Sequence, residues 1–271
     1  MLKQRIITAL WLVPLALVGF FALQGAAYYL FIAAVVGLAA WEWARLAGYD
    51  TPAQRVVYGL FVALNVLLLS AQSGLLMPLL YLAGVWWIVA IAMVVSFPAS
   101  VAYWGGNLGK RVMGLVILLP AGLGLLALKQ QPQGNWLILS LMLLVWCADI
   151  GAYFIGRAFG KRKLAVRVSP GKSWAGLVGG LVTSLAVALG LAGYFKVPTQ
   201  QLPWVLLGAA LVVLFSVVGD LTESMFKRQV GIKDSSQLLP GHGGVLDRID
   251  SLTAAVPVFT LLLLLSGWSL P

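Results

Sequence analysis

Very little in this chain is acidic. Its 271 residues hold eight Asp and Glu against eighteen Lys and Arg, with one histidine and one cysteine. The lone cysteine, Cys147, excludes an intramolecular disulfide and any cysteine-based zinc site, and leaves the redox compartment uninformative. Charged residues make up only 10% of the chain and hydrophobic ones 61%, which excludes a soluble domain of this length and defines a polytopic membrane protein.

Runs of about 17 to 25 apolar residues are long enough to cross the hydrocarbon core as helices. The sequence predicts nine, over 6–23, 26–47, 56–71, 75–97, 112–128, 136–158, 174–195, 203–226 and 252–269. The basic MLKQR start followed by an apolar run imitates a secretory signal, but a second long apolar run follows it, so it is read as the first membrane helix. The fold class is therefore an all-α polytopic integral membrane protein.

Lys and Arg in short loops are retained on the cytoplasmic side, which tests this count independently. With a cytoplasmic N-terminus, sixteen of the eighteen basic residues fall inside and only Lys129 and Lys196 fall outside. Nine helices with the C-terminus on the outer side follow. The acids, Glu42 and Asp50 included, lie inside or near the inner interface.

Residues 1–110 form an N-terminal set of membrane helices with little chemistry, and 111–271 a set carrying a site at its cytoplasmic ends. In the WEWARLAG run at 41–48, Glu42 and Arg45 with Trp41 and Trp43 read as interfacial anchoring. GGNLGK at 105–110 imitates a phosphate loop but has Arg111 where Ser or Thr is needed and no strand before it; GKS at 171–173 fails because Val166 stands where the first glycine belongs.

Asp149 lies within an apolar run, and an ionisable group at membrane depth is a functional candidate because leaving it unpaired costs several kcal/mol. Arg157, Lys161, Arg162 and Lys163 follow as a basic collar suited to an anionic leaflet. In SPGKSWAG, 169–176, Ser169 is expected to cap the next helix, and Lys172 and Ser173 to bind a phosphate with the free amides.

The densest chemistry is SVVGDLTESMFKRQVGIKDSSQLLPGHGGVLDRIDS, 216–251, which holds five of the eight acids. Carboxylates among cations, interrupted by glycines, suit a site for a divalent metal and a polyphosphate. Asp220 and Glu223 are three apart, as are Asp247 and Asp250, so each pair projects from one helix face. If the faces converge they offer oxygen ligands for Mg²⁺, with Asp220 and Asp247 as ligands and Asp149, Glu223 and Asp250 in support. Lys227, Arg228, Lys233 and Arg248 are the cations available to neutralise phosphates. His242, between glycines that allow close backbone approach, either contacts a phosphate or shapes the turn.

From Ser224 through Lys227-Arg228, Lys233-Asp234 and Pro240-Gly-His-Gly-Gly to Asp247-Arg-Ile-Asp250, this stretch resembles the signature of phosphatidate cytidylyltransferases. SPGKSWAG is similar to a second motif of that family, with Ala175 where an acid is usual, so nothing is assigned to Ala175. The resemblance implies transfer of CMP from CTP to phosphatidate in phospholipid synthesis, Mg²⁺ dependence, and a homodimer. It implies catalytic roles for Lys227, Arg228, Lys233, Asp234, His242 and Arg248, and substrate binding by Asp149, Lys172, Ser173, Ser224, Gly243 and Gly244. It places the enzyme in a bacterial inner membrane with its site toward the cytoplasm, among anionic lipids and with no nucleic-acid partner. Two rivals are an enzyme of the same class acting on another lipid phosphate and a transporter. The absence of an internal repeat and the crowding of charge at the inner ends weigh against transport.

Overall fold

A computed structural model describes residues 2–267. It is almost wholly helical, as a chain in lipid must be, because backbone groups there find no water and bond within the helix. The helices are α1 (Leu2–Leu17, continued by a π turn at Val18–Ala22), α2 (Gly25–Leu46), α3 (Pro52–Ser70), α4 (Ser73–Val95), the short α5 (Val101–Trp104), α6 (Asn107–Gln130), α7 (Gly134–Phe159), α8 (Trp174–Tyr194), α9 (Leu202–Gln229) and α10 (Leu246–Ser266). Between α7 and α8 lies an antiparallel hairpin, β1 (Lys163–Ala165) and β2 (Ser169–Ser173).

Among the described residues nine helices are long and apolar enough to cross a membrane, in the expected order. The bounds differ where charge begins. α9 runs to Gln229 rather than ending at 226, and α10 starts at Leu246 rather than 252, so α10 carries Asp247 and Asp250 on hydrogen-bonded turns before its apolar run. Residues 268 and 269 of the expected last span lie outside the described residues.

Residues 169–173 form a strand, and the cap of α8 is Ser173, whose Oγ accepts from the Gly176 amide at 3.1 Å, not Ser169. The shift by one turn places Lys172 immediately before the helix.

One apolar core runs through both halves of the chain, from Tyr28 and Ile32 on α2 to Val256 and Leu263 on α10. Trp43, expected at the interface, is instead 1% exposed. Its Nε1 donates to the Lys110 carbonyl at 2.8 Å, and its ring meets Phe226 at 4.7 Å, with Trp104 against the same ring at 4.6 Å. Phe226 is thereby clamped between two indoles, which fixes the C-terminal end of α9. At the opposite ends of the helices Trp136, Tyr194 and Phe195 form an aromatic cluster with centroids 5.0 to 5.6 Å apart.

Association in lipid depends on close packing rather than on hydrophobic expulsion, so small residues mark helix contacts. α7 and α8 meet along Ala148, Gly151, Ala152 and Gly156 against Gly176, Gly179 and Gly180. A Cβ on Gly180 would stand 2.6 Å from the Ala148 carbonyl oxygen. We expect Gly180→Leu to force α7 from α8, lower the melting temperature in detergent by several degrees, corresponding to about 1–3 kcal/mol of overpacking, and abolish activity through displacement of the neighbouring Asp149. Gly190→Ala, with nothing within 4 Å of the added carbon, should change neither measurement.

Candidate active site

The acids gather where the C-terminal halves of α7 and α9 meet the N-terminal end of α10. Asp250 is four residues into α10 and Asp220 nine residues before the end of α9, about 6 and 14 Å along their helices at 1.5 Å per residue. From the hairpin, Lys172 Nζ reaches Asp220 Oδ2 at 2.6 Å, both side chains being about one-quarter exposed. Asp149 lies within electrostatic reach of Lys172, Asp220 and Arg248, and Asp250 within reach of Asp220, Lys172 and Lys227. Lys172, delivered by the hairpin, thus pairs with Asp220 of α9, with Asp149 of α7 and Asp250 of α10 in the same electrostatic neighbourhood. Ser224 Oγ donates to Asp220 Oδ1 at 3.3 Å.

A second group lies deeper. Lys227 Nζ is 2.6 Å from Asp247 Oδ1 and 3.1 Å from Glu223 Oε1, and all three side chains are under 10% exposed. Lys227 was expected to neutralise substrate phosphates; it is instead held between two carboxylates of its own chain. An ammonium at this depth needs such partners, because an unpaired buried charge is strongly destabilising. Neither Glu223 oxygen has a hydrogen bond of good geometry, and with Asp250, Thr222 and Trp87 it lines a small internal cavity.

Asp247 Oδ2 accepts from Ser235 N at 2.9 Å, Ser235 Oγ at 2.9 Å and Gly244 N at 2.8 Å. Beside it, Glu42 of α2 is 1% exposed and accepts from Ser235 Oγ, Ser236 Oγ, Val245 N and Leu246 N at 3.1, 2.6, 3.0 and 2.6 Å. The last two are free amides at the start of α10, so Glu42 caps a helix from elsewhere in the chain. This overturns the interfacial reading of Glu42 and Arg45. Arg45 also turns to the loop, with Nη1 3.4 Å from the Ser235 carbonyl.

The PGHGG turn closes through Leu239 N donating to the Gly243 carbonyl at 2.9 Å and His242 N to the Leu239 carbonyl at 2.8 Å. Gly243 and Gly244 were expected to admit a substrate. What comes close is the protein's own carboxylates: a Cβ on Gly243 (φ +84°) would lie 2.6 Å from Asp247 Oδ2, and one on Gly244 2.4 Å from both Glu42 oxygens. His242 is partly buried, and its Nδ1 has no partner. Arg228 ties the loop to the hairpin, Nε to the Val168 carbonyl at 3.3 Å and Nη1 to the Ile232 carbonyl at 3.2 Å. Lys233, Asp234 and Arg248 are exposed and make no ion pair among the described residues.

Glu42, Ser235 and Ser236 were missed by sequence reasoning. The signal available was an acid among tryptophans in a chain with so few acids.

No three ligating side chains surround one point among the described residues. Mg²⁺ takes one or two carboxylates and completes its octahedron with water and substrate phosphates, and the carboxylates that could hold one here are Asp220, Asp149 and Asp250. Asp220, partly exposed with Asp149 and Asp250 near it, is the open part of the set. Asp247 would join only through Oδ1, where Lys227 now stands. A cavity of about 940 Å³ lies at the opposite ends of α7 to α10, but its lining holds no acid, lysine, arginine or histidine, so charge rather than volume locates the chemistry.

Residues 3–266 match the model of the cytidylyltransferase family. The chain is similar to the phosphatidate cytidylyltransferase of Pseudomonas aeruginosa, 62% identical over 271 residues and the whole of both chains. It is also similar to those of Haemophilus influenzae, 42% identical over 96% of this chain and 98% of the relative, and of Brucella suis, 36% identical over 96% and 92%.

The packing at Gly244 predicts that Gly244→Ala separates the loop from Glu42 and lowers stability in detergent melts by about 1–3 kcal/mol. Turnover should fall by roughly tenfold or more in the fraction that remains folded.

Proposed function

Because the chain belongs to the cytidylyltransferase family and is an enzyme of the nucleotidyltransferase class, we propose that it transfers the CMP moiety of CTP to phosphatidate, forming CDP-diacylglycerol and pyrophosphate. The observation that carries this reading is the meeting of Asp149, Lys172 and Asp220, from α7, the hairpin and α9, at helix ends where a water-soluble nucleotide and a lipid phosphate can both arrive.

In the proposed reaction a phosphate oxygen of phosphatidate attacks the α-phosphorus of CTP. The bond from that phosphorus to the β-bridging oxygen breaks, and pyrophosphate leaves with the electron pair. A phosphate monoester has a second pKa of about 6, so the attacking oxygen needs no general base at neutral pH. The difficulty is to bring two polyanions together, and catalysis is charge neutralisation and alignment. Lys172 and the exposed Arg248 and Lys233 would meet phosphate oxygens, and Asp220, with Asp149 and Asp250, would hold Mg²⁺. When bound, Mg²⁺ would supply charge neutralisation at the attacking and leaving oxygens. Lys227 and Asp247 keep the inner ends of α9 and α10 in register.

The charge asymmetry supports an inner-membrane enzyme with its site toward the cytoplasm. The collar of Arg157, Lys161, Arg162 and Lys163 lies at the end of α7 and start of the hairpin, where it would attract anionic lipid. A homodimer accords with the same reading.

The decisive assay is turnover of labelled CTP by the purified protein in detergent. CDP-diacylglycerol and pyrophosphate should form with phosphatidate and Mg²⁺, cease with a chelator, and fall roughly a hundredfold or more in folded Asp220→Asn and Asp149→Asn. CTP left intact with phosphatidate but consumed with another lipid phosphate would overturn the substrate and leave the reaction class.

A further inference from the structure

We infer that Glu42 is a positioning residue for the reaction: its buried carboxylate holds the 235–246 loop and the first turn of α10 in the geometry that cytidylyl transfer requires. The inference rests on the proposed reaction, and it joins to the site a helix from the half of the chain in which sequence reasoning found little chemistry.

Four donors converge on this carboxylate, two hydroxyls from the loop and two amides from α10. An acid 1% exposed and ringed by donors serves as a fixed anchor, because its charge in a poorly solvated place is tolerated only while the donors stay. The anchor leads to the chemistry in short steps. Ser235 Oγ lies 3.1 Å from Glu42 Oε2 and 2.9 Å from Asp247 Oδ2, so its single proton serves one carboxylate at a time. The other Asp247 oxygen holds Lys227 at 2.6 Å. Asp250 follows one turn later on α10, within reach of Asp220.

Two further contacts support the view that the N-terminal helices cradle the loop. Thr8 Oγ1 of α1 donates to the Pro240 carbonyl at 2.8 Å, and a Cβ on Gly241 would come within 3.0 Å of Arg5 Cγ. Glycine at 244 removes the one side chain that would keep Glu42 out. Glu42 itself touches none of the groups assigned to substrate, so its effect must pass through the loop.

The test compares the wild type with Glu42→Gln, Ser236→Ala and the double variant, measuring kcat and KM for CTP and phosphatidate on monodisperse protein. Glutamine keeps the shape but turns an NH₂ donor toward donors. We expect kcat to fall by about tenfold or more with both KM values within about twofold, the pattern of an interaction needed in the transition state and not for binding. Ser236→Ala should lower kcat by a few-fold, and the double variant should be no worse than Glu42→Gln, since both remove parts of one interaction. Wild-type kcat in Glu42→Gln would overturn the inference, as would rises in KM that account for the whole loss. Should Glu42→Gln fail to yield folded protein, Ser236→Ala decides, and an unchanged kcat there overturns it. Absence of cytidylyl transfer by the wild type would instead overturn the proposed reaction.

Discussion

A buried charge must be paired or fully hydrogen-bonded, and the active region of this protein is arranged around that requirement. Lys227 is held at its depth by Glu223 and Asp247, and Asp247 is held there by Lys227 together with Ser235 and Gly244. Each member holds the others, and because Glu223 and Lys227 belong to α9 while Asp247 belongs to α10, the triad locks two helices together. The clamp of Trp43 and Trp104 on Phe226 fixes α9 from another direction. The more open acids, Asp149 and Asp220, stand on a frame fixed by these contacts, as preorganised electrostatic catalysis demands.

Much of this was legible in the sequence for one reason: charge is so rare here that its positions stand out. Nine apolar runs were long enough to be read as spans, and the crowding of acids in 216–251 located the site. The roles within it were less legible. Lys227 and Asp247 could be seen as a cation and an acid but not as partners, because residue spacing along a helix does not say which of several oppositely charged neighbours a side chain meets. Gly243 and Gly244 signalled a close approach without saying of what. The hairpin was missed because SPGKS carries turn and cap signals and none of the β-branched or aromatic residues that mark a strand, so only the pairing of Lys163 with Ser173 reveals it.

Glu42 was hidden most completely. Its partners are 193 to 204 residues away, and a short-range reading paired it with Arg45 and the flanking indoles instead. The division of the chain at residue 110 had the same origin, since it followed where titratable groups are dense. The apolar core and the Glu42 contacts ignore that division, and the N-terminal helices supply structure to a site whose reacting groups lie elsewhere.

The length of α9 connects the enzyme to its surroundings. At 28 residues it measures about 42 Å, against a hydrocarbon layer of about 30 Å. Its surplus turns are the ones that bear Ser224 and Lys227. The helix therefore acts as a gauge: the height of the groups on its last turns relative to the membrane surface depends on how thick the bilayer is. A thinner membrane would raise the acids toward water and a thicker one would draw them toward the acyl chains, so lipid composition enters the chemistry as a vertical coordinate as well as a supply of substrate.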